Sequence, residues 1–93
     1  MKNGSKAVVT VLGYDRKGII ARVSNVLYER GINILDISQT ILQGCFTMVM
    51  LVDLSGMEVS YKEMNEILAG LADGAGVEIR MQRSEIFDAM HKV

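Results

Sequence analysis

Proline is missing from all 93 residues, so the nine glycines are left to punctuate the chain. Cysteine occurs once, at Cys45, which excludes an internal disulfide, an iron–sulfur cluster and a cysteine zinc site. Aromatic residues make up only 5 % of the chain, too few to supply a broad base-stacking surface. Ten basic residues nearly balance eleven acidic ones, and no run of like charges forms a tail, so nothing recruits a phosphate backbone. There is no apolar stretch of membrane-spanning length and no signal peptide. A reducing cytoplasm is therefore the expected compartment, with no membrane and no nucleic acid as partner.

What is abundant is apolar side chain, at 49 % of residues. A chain of this length forms one domain with one modest core. The surplus over what that core can hold points to a second buried surface between subunits.

Periodicity divides the chain into seven elements. "KAVVTVLGY" (Lys6–Tyr14) is a near-continuous apolar run, as in a central strand. From Gly18 to Arg30, Ile19, Ile20, Val23, Val26 and Leu27 recur at helical spacing, and Gly31 is placed to stop that helix in left-handed geometry. "INILDISQTIL" and "CFTMVMLVDL" read as paired strands joined by a two-residue turn at Gln43–Gly44. That turn sets Leu35, Ile37, Gln39 and Ile41 opposite Val52, Met50, Met48 and Phe46, a face expected to lie under helices. The other face pairs Ile34, Asp36, Ser38, Thr40 and Leu42 with Asp53, Leu51, Val49, Thr47 and Cys45, and is mixed. Ser60 and Glu63 form a capping box for a second helix carrying Tyr61, Met64, Ile67, Leu68 and Leu71, which "DGAG" (73–76) should end. "VEIRMQR" alternates as a strand, with Val77, Ile79 and Met81 inward. "SEIFDAMHKV" reads as a short terminal helix, capped by Ser84 and with His91 and Lys92 near its end, as the helix dipole favours.

The order is βαββαβ, an α+β, ferredoxin-like arrangement. It implies a four-stranded antiparallel sheet with two helices on one face, plus the short C-terminal helix. The opposite sheet face has no helix to cover it, and a second copy is expected there. Residues 1–5 are expected to be a flexible extension, leaving 6–93 as a single domain.

Four functional classes use this arrangement. RNA recognition needs aromatics on the open sheet face, whereas Phe46 falls on the helix side. A bacterial-type ferredoxin needs several cysteines. An acylphosphatase-like hydrolase would need Arg16 or Arg22 with Asn33, but "GYDRKGI" is unlike that family's phosphate loop, and Asp15 would repel the anion.

The fourth class is the ACT domain, a small module that binds amino acids and regulates enzymes or transcription. "VTVLGYDRKGIIARVSNVLYERGINILDISQTI" resembles its succession of strand, D-[RK]-x-G-[IVL] turn, helix and G-[IV]-N-[IV] strand entry. The whole of Lys6–Val93 is similar to stand-alone ACT proteins related to the glycine-cleavage-system repressor. The resemblance implies an amino-acid site at the first strand–helix turn and the start of the second strand, usually at a subunit interface. Carried onto this chain, those positions are Asp15, Arg16, Lys17, Gly18, Ile19, Asn33 and Ile34.

The physical chemistry of those residues suits a zwitterion. The N–H groups of Gly18 and Ile19 would receive a carboxylate at a helix N-terminus, and Gly18 sets no Cβ in the way. Asp15 suits a turn or cap residue first, and could also receive an ammonium group, directly or through water. Asn33 can hold its own loop or reach a ligand. Arg16 and Lys17 face solvent or screen the carboxylate. Cys45 is expected to be a half-buried packing residue and His91 a helix-end cation. No catalytic residue, metal or cofactor is expected. The alternative to an amino-acid sensor is a ligand-free homo-oligomeric adaptor that meets some further protein.

Overall fold

The structure, a computed structural model, describes residues 6–14 and 18–83. The N-terminal extension, Asp15–Lys17 and the expected terminal helix lie outside the described residues. Six elements follow in the order β1 (Lys6–Gly13), α1 (Ile19–Glu29), β2 (Asn33–Leu42), β3 (Cys45–Asp53), α2 (Tyr61–Ala75) and β4 (Glu78–Arg83). The strands form one antiparallel sheet in the order β2-β3-β1-β4, as βαββαβ connectivity requires.

Helix spacing and strand alternation converge on one core. Ile19, Val23 and Leu27 of α1 and Met64 and Leu68 of α2 pack on Ala7, Val9, Val11, Phe46, Met48, Met50 and Val52. Both helices therefore cover the same sheet face.

Caps close each helix. Ser60 Oγ accepts from the Glu63 N–H at 3.0 Å, as the Ser-x-x-Glu spacing requires. Gly31 lies at φ +80° beyond α1, where its N–H donates to the Tyr28 carbonyl and the Ile32 N–H donates to the Leu27 carbonyl. These two bonds make a Schellman motif. The Glu58 N–H donates to the Arg30 carbonyl at 2.8 Å, which ties the β3–α2 loop to the same helix end. Tyr61 and Arg83 join α2 to β4: the Tyr61 hydroxyl donates to the Met81 carbonyl at 2.8 Å, and the Arg83 guanidinium lies 4.4 Å from the Tyr61 ring centre.

Three features bear on the expected elements. First, the "DGAG" stretch (73–76) ends α2, as expected, and does so at its last residue. The helix runs through Ala75, and Gly76, at φ +71°, is the terminator, with its N–H and that of Val77 donating to the Ala72 carbonyl. Asp73 and Gly74 continue the helix because the chain reverses only where a left-handed residue is supplied.

Second, the β2–β3 register holds from Asp36 to Leu42 but slips at Leu35. Ile34 lies opposite Val52 and Asn33 opposite Asp53, so Leu35 is the extra residue of a bulge. The bulge lets Ile34 pack against the core while Leu35 is turned out, 43 % exposed.

Third, the helices do not cover the whole of their sheet face. On β3 it is buried, but Ile37 and Ile41 on β2 are 39 % and 50 % exposed. The cause is topological: β2 is an edge strand, and the sheet side chains buried in the core belong mainly to the central strands β1 and β3.

The open face is mixed, as expected. Val8 is buried, Leu12 and Val49 are 37 % and 38 % exposed, and Cys45, Thr47 and Leu51 are half-buried.

Two left-handed glycines separate backbone strain from crowding. A Cβ at Gly44, at φ +83°, would meet no atom within 4 Å among the described residues. A Cβ at Gly31 would collide with the Gly56 carbonyl oxygen. Gly44→Ala should cost about 1–2 kcal/mol for the φ alone. Gly31→Ala should cost at least about 1 kcal/mol more, from overpacking against backbone. Urea unfolding of the two variants measures the difference, and equal midpoints would contradict it.

Candidate functional site

The first strand–helix turn opens where β1 leaves the sheet. Gly18 is the N-cap of α1 at φ 73°, ψ −5°, and no side chain caps the helix there among the described residues. The Gly18 carbonyl accepts from the Arg22 N–H at 3.1 Å, which starts the helical ladder. The N–H groups at this end emerge beside a residue with no Cβ, at the positive end of the helix dipole. A Cβ placed on Gly18 would meet nothing within 4 Å among the described residues, so the approach to the backbone is open. The Ile19 side chain is buried at 2 % exposure and anchors the turn, so Ile19 has only its backbone to offer a ligand.

Asn33 and Ile34 are elsewhere. Asn33 lies opposite Asp53, and Asp53 lies opposite Lys6, the first residue of β1. Gly13, at the far end of β1, leads into the turn. At about 3.3 Å per residue, the length of β1 puts roughly 20 Å between the two ends. Asn33 is thus not near Gly18 within one chain, contrary to the compact grouping expected of them. The reason is that α1 carries the chain from one end of the sheet back to the other. Ile34 packs against the core and holds Asn33, which is exposed, at the sheet's end.

Each end has its own recess. Leu12, Gly13, Tyr14, Cys45, Gly76, Val77 and Glu78 line a cleft of about 330 Å³ at the turn end. Tyr28, Gly31, Ile32 and Asn33 line one of about 220 Å³ at the other. Tyr14 and Tyr28 were not singled out from the sequence. They are 81 % and 78 % exposed. The available signal was a tyrosine standing off the apolar stripe of α1. Cys45 is half-buried at the rim of the larger cleft, in keeping with a packing role. Among the described residues no three His, Cys, Asp or Glu side chains group as metal ligands. Among them, too, no helix is long and apolar enough to cross a membrane.

Next to Asn33, the Asp53 carboxylate accepts from the Ser55 N–H at 2.9 Å. The Ser55 backbone and hydroxyl hold the Asp53 carboxyl below its ordinary 3.8; loss of hydration opposes them, and Lys6 adds the smallest pull downward. A depressed folded pKa contributes stability above the unfolded value that is lost as pH falls through the folded one. A carboxyl NMR titration should therefore give Asp53 a midpoint below 3.8. Asp53→Asn should remove that residue's share of the acid-side loss of stability. A midpoint at or above the ordinary value would contradict this.

With this geometry in hand, comparison with known proteins is direct. The ACT domain family profile matches residues 5–82. A UPF0237 protein of Listeria monocytogenes serotype 4b is 50 % identical over 88 residues, covering 95 % of this chain and 99 % of that protein. An ACT domain protein from Streptococcus pneumoniae has the same fold with a TM-score of 0.80 and 38 % identity, covering 91 % of this chain and 96 % of that one. The regulatory subunit of aspartate kinase from Thermus thermophilus, in a ligand-free form, superposes with a TM-score of 0.63 at 26 % identity, covering 86 % of this chain and 52 % of that one.

Proposed function

Because the chain belongs to the ACT domain family, we propose that it is a regulatory module that binds a small amino acid at its first strand–helix turn. Occupancy is passed on as a change in association with another protein. The observation that carries this reading is the left-handed Gly18 at the start of α1, with an open approach and no side-chain cap among the described residues. Backbone N–H groups at such a helix start suit a carboxylate.

The ligand's carboxylate takes the N–H groups of Gly18 and Ile19, and its ammonium group takes the carboxylate of Asp15. Arg16 and Lys17 flank the site and screen charge. Asn33 and Ile34 belong to the site only as residues of a second copy, since in one chain they stand at the other end of the sheet. The module is then a homo-oligomer by necessity. The mixed open face, through its apolar Val8, Leu12, Val49 and Leu51, supplies one surface for a second copy. No chemical step is assigned: the reading is of a cytoplasmic sensor and not an enzyme.

Thermal unfolding with each of the twenty amino acids tests it. A ligand at ten times its Kd adds about 1.4 kcal/mol, or roughly 5–10 °C for a domain of this size. One amino acid, or a small related set, should raise the midpoint selectively. Asn33→Ala should abolish that rise while leaving the ligand-free midpoint within about 2 °C of wild type, since Asn33 is exposed. Gly18→Ala should abolish it too, with a cost of about 1–2 kcal/mol from its positive φ. If no amino acid moves the midpoint, the module is a ligand-free adaptor.

A further inference from the structure

We propose that the C-terminal segment, residues 84–93, docks back across the open face of its own sheet and covers Val8. This contact stands whether or not an amino acid is bound. It leaves the Leu12 and Val49 end of the open face to a second copy.

Val8 is buried where nothing described covers it. It is 7 % exposed, yet it points away from the helices and stands apart from the core cluster. Both helices lie on the other side of the sheet, so no described element roofs it. Leu51 and Gln82 flank it on the neighbouring strands, beside it and not above it. Leu12, on the same strand and the same face, is 37 % exposed, and Val49 is 38 % exposed. Burial of the open face is thus concentrated at the end where β4 finishes.

The C-terminal segment begins at that same end. β4 runs out at Arg83, which lies opposite Ala7, and Gln82 lies opposite Val8. The Arg83 guanidinium over the Tyr61 ring fixes the point of departure. Ten residues follow Arg83. As a helix they would span about 15 Å. Strands lie about 4.8 Å apart, so a crossing from β4 over β1 to β3 needs roughly 10 Å. So short a tether gives the segment an effective concentration on the order of millimolar at its own face. A second copy has no such advantage there, and the occupant is therefore the chain's own segment.

The side chains suit the surface. Ile86, Phe87, Met90 and Val93 recur at the spacing of one apolar helical stripe. A helix this short is marginal alone in water and takes its stability from what its stripe packs against. The helix side of the sheet is already closed by α1 and α2 over Phe46, Met48 and Met50, whereas the open face offers Val8 and Leu51. Charge is complementary as well. Strand alternation puts Lys6 and Arg80 on the open face around Val8, both exposed, and the segment carries Glu85 and Asp88.

Nuclear Overhauser spectroscopy and amide exchange on the full chain test this. The Phe87 ring protons should give cross-peaks to the Val8 methyls and none to those of Val49. The amides of residues 87–90 should exchange at least about tenfold more slowly than those of an unstructured chain. Phe87→Ala should remove that protection and move the Val8 methyl resonances, with those of Val49 left in place. Arg80→Glu should weaken the protection without altering the exchange of β1 and β3. In a mixture of isotope-labelled and unlabelled chains, the Phe87–Val8 contact should arise within single chains. A contact found only between chains would overturn the proposal, since the occupant would then be a partner's segment. A segment that exchanges at the unstructured rate would overturn it too, as would Phe87 contacts to any surface other than the Val8 end of the open face.

Discussion

Gln43 at φ 52° and Gly44 at φ 83° make the turn on which the rest of the sheet depends. With both central residues at positive φ, the turn matches the right-handed twist of its strands and admits one register. Because side chains alternate, that register decides every inward and outward position on β2 and β3. It buries Phe46, Met48, Met50 and Val52 beneath the helices, and through β3 it sets the alignment of β1. A glutamine in a left-handed turn position is uncommon; Gln43 is the one non-glycine residue at positive φ among those described. The long apolar ladder on either side holds it there.

Much of this was legible because it is local. The αL stop at Gly31, the Ser60 cap and the alternation in β4 are written in residues that contact near neighbours in sequence. The bulge at Leu35 was not legible, since choosing between Leu35 and Ile34 as the inward residue depends on how α1 packs over that end. Which glycine of "DGAG" ends α2 was left open for a related reason. Gly70 and Gly74 lie within the helix and Gly76 lies after it, and only the backbone tells terminating glycines from tolerated ones. The exposure of Ile37 and Ile41 follows from strand order, which no periodicity encodes.

For the candidate site, the turn was identifiable from its composition and from the family pattern. The separation of its two parts was not. "DRKGI" and "GIN" look adjacent in a string because one helix lies between them, but a helix of eleven residues travels from one edge of the domain to the other. Residues at its two ends therefore share a sequence neighbourhood without sharing a pocket. Both ends are nevertheless firmly mounted. Ile19 anchors one in the core, and the Schellman bonds with the Glu58–Arg30 bond hold the other. Anything that docks at Gly18 or Asn33 meets backbone already ordered by folding.

The two edges of the sheet differ in character, and that difference limits growth. β4 is short and charged, and its last residue, Arg83, has its guanidinium over the ring of Tyr61. β2 is long and uncharged from Ile37 to Leu42. A sheet with two edges like β2 would present a fresh template after every addition, and chains could stack without limit into a filament. With one long uncharged edge and one guarded edge, the sheet offers a single template, and any strand that covered it would leave only β4 at the other side. The domain's protection against runaway polymerisation is thus placed on the strand farthest from the one that needs it.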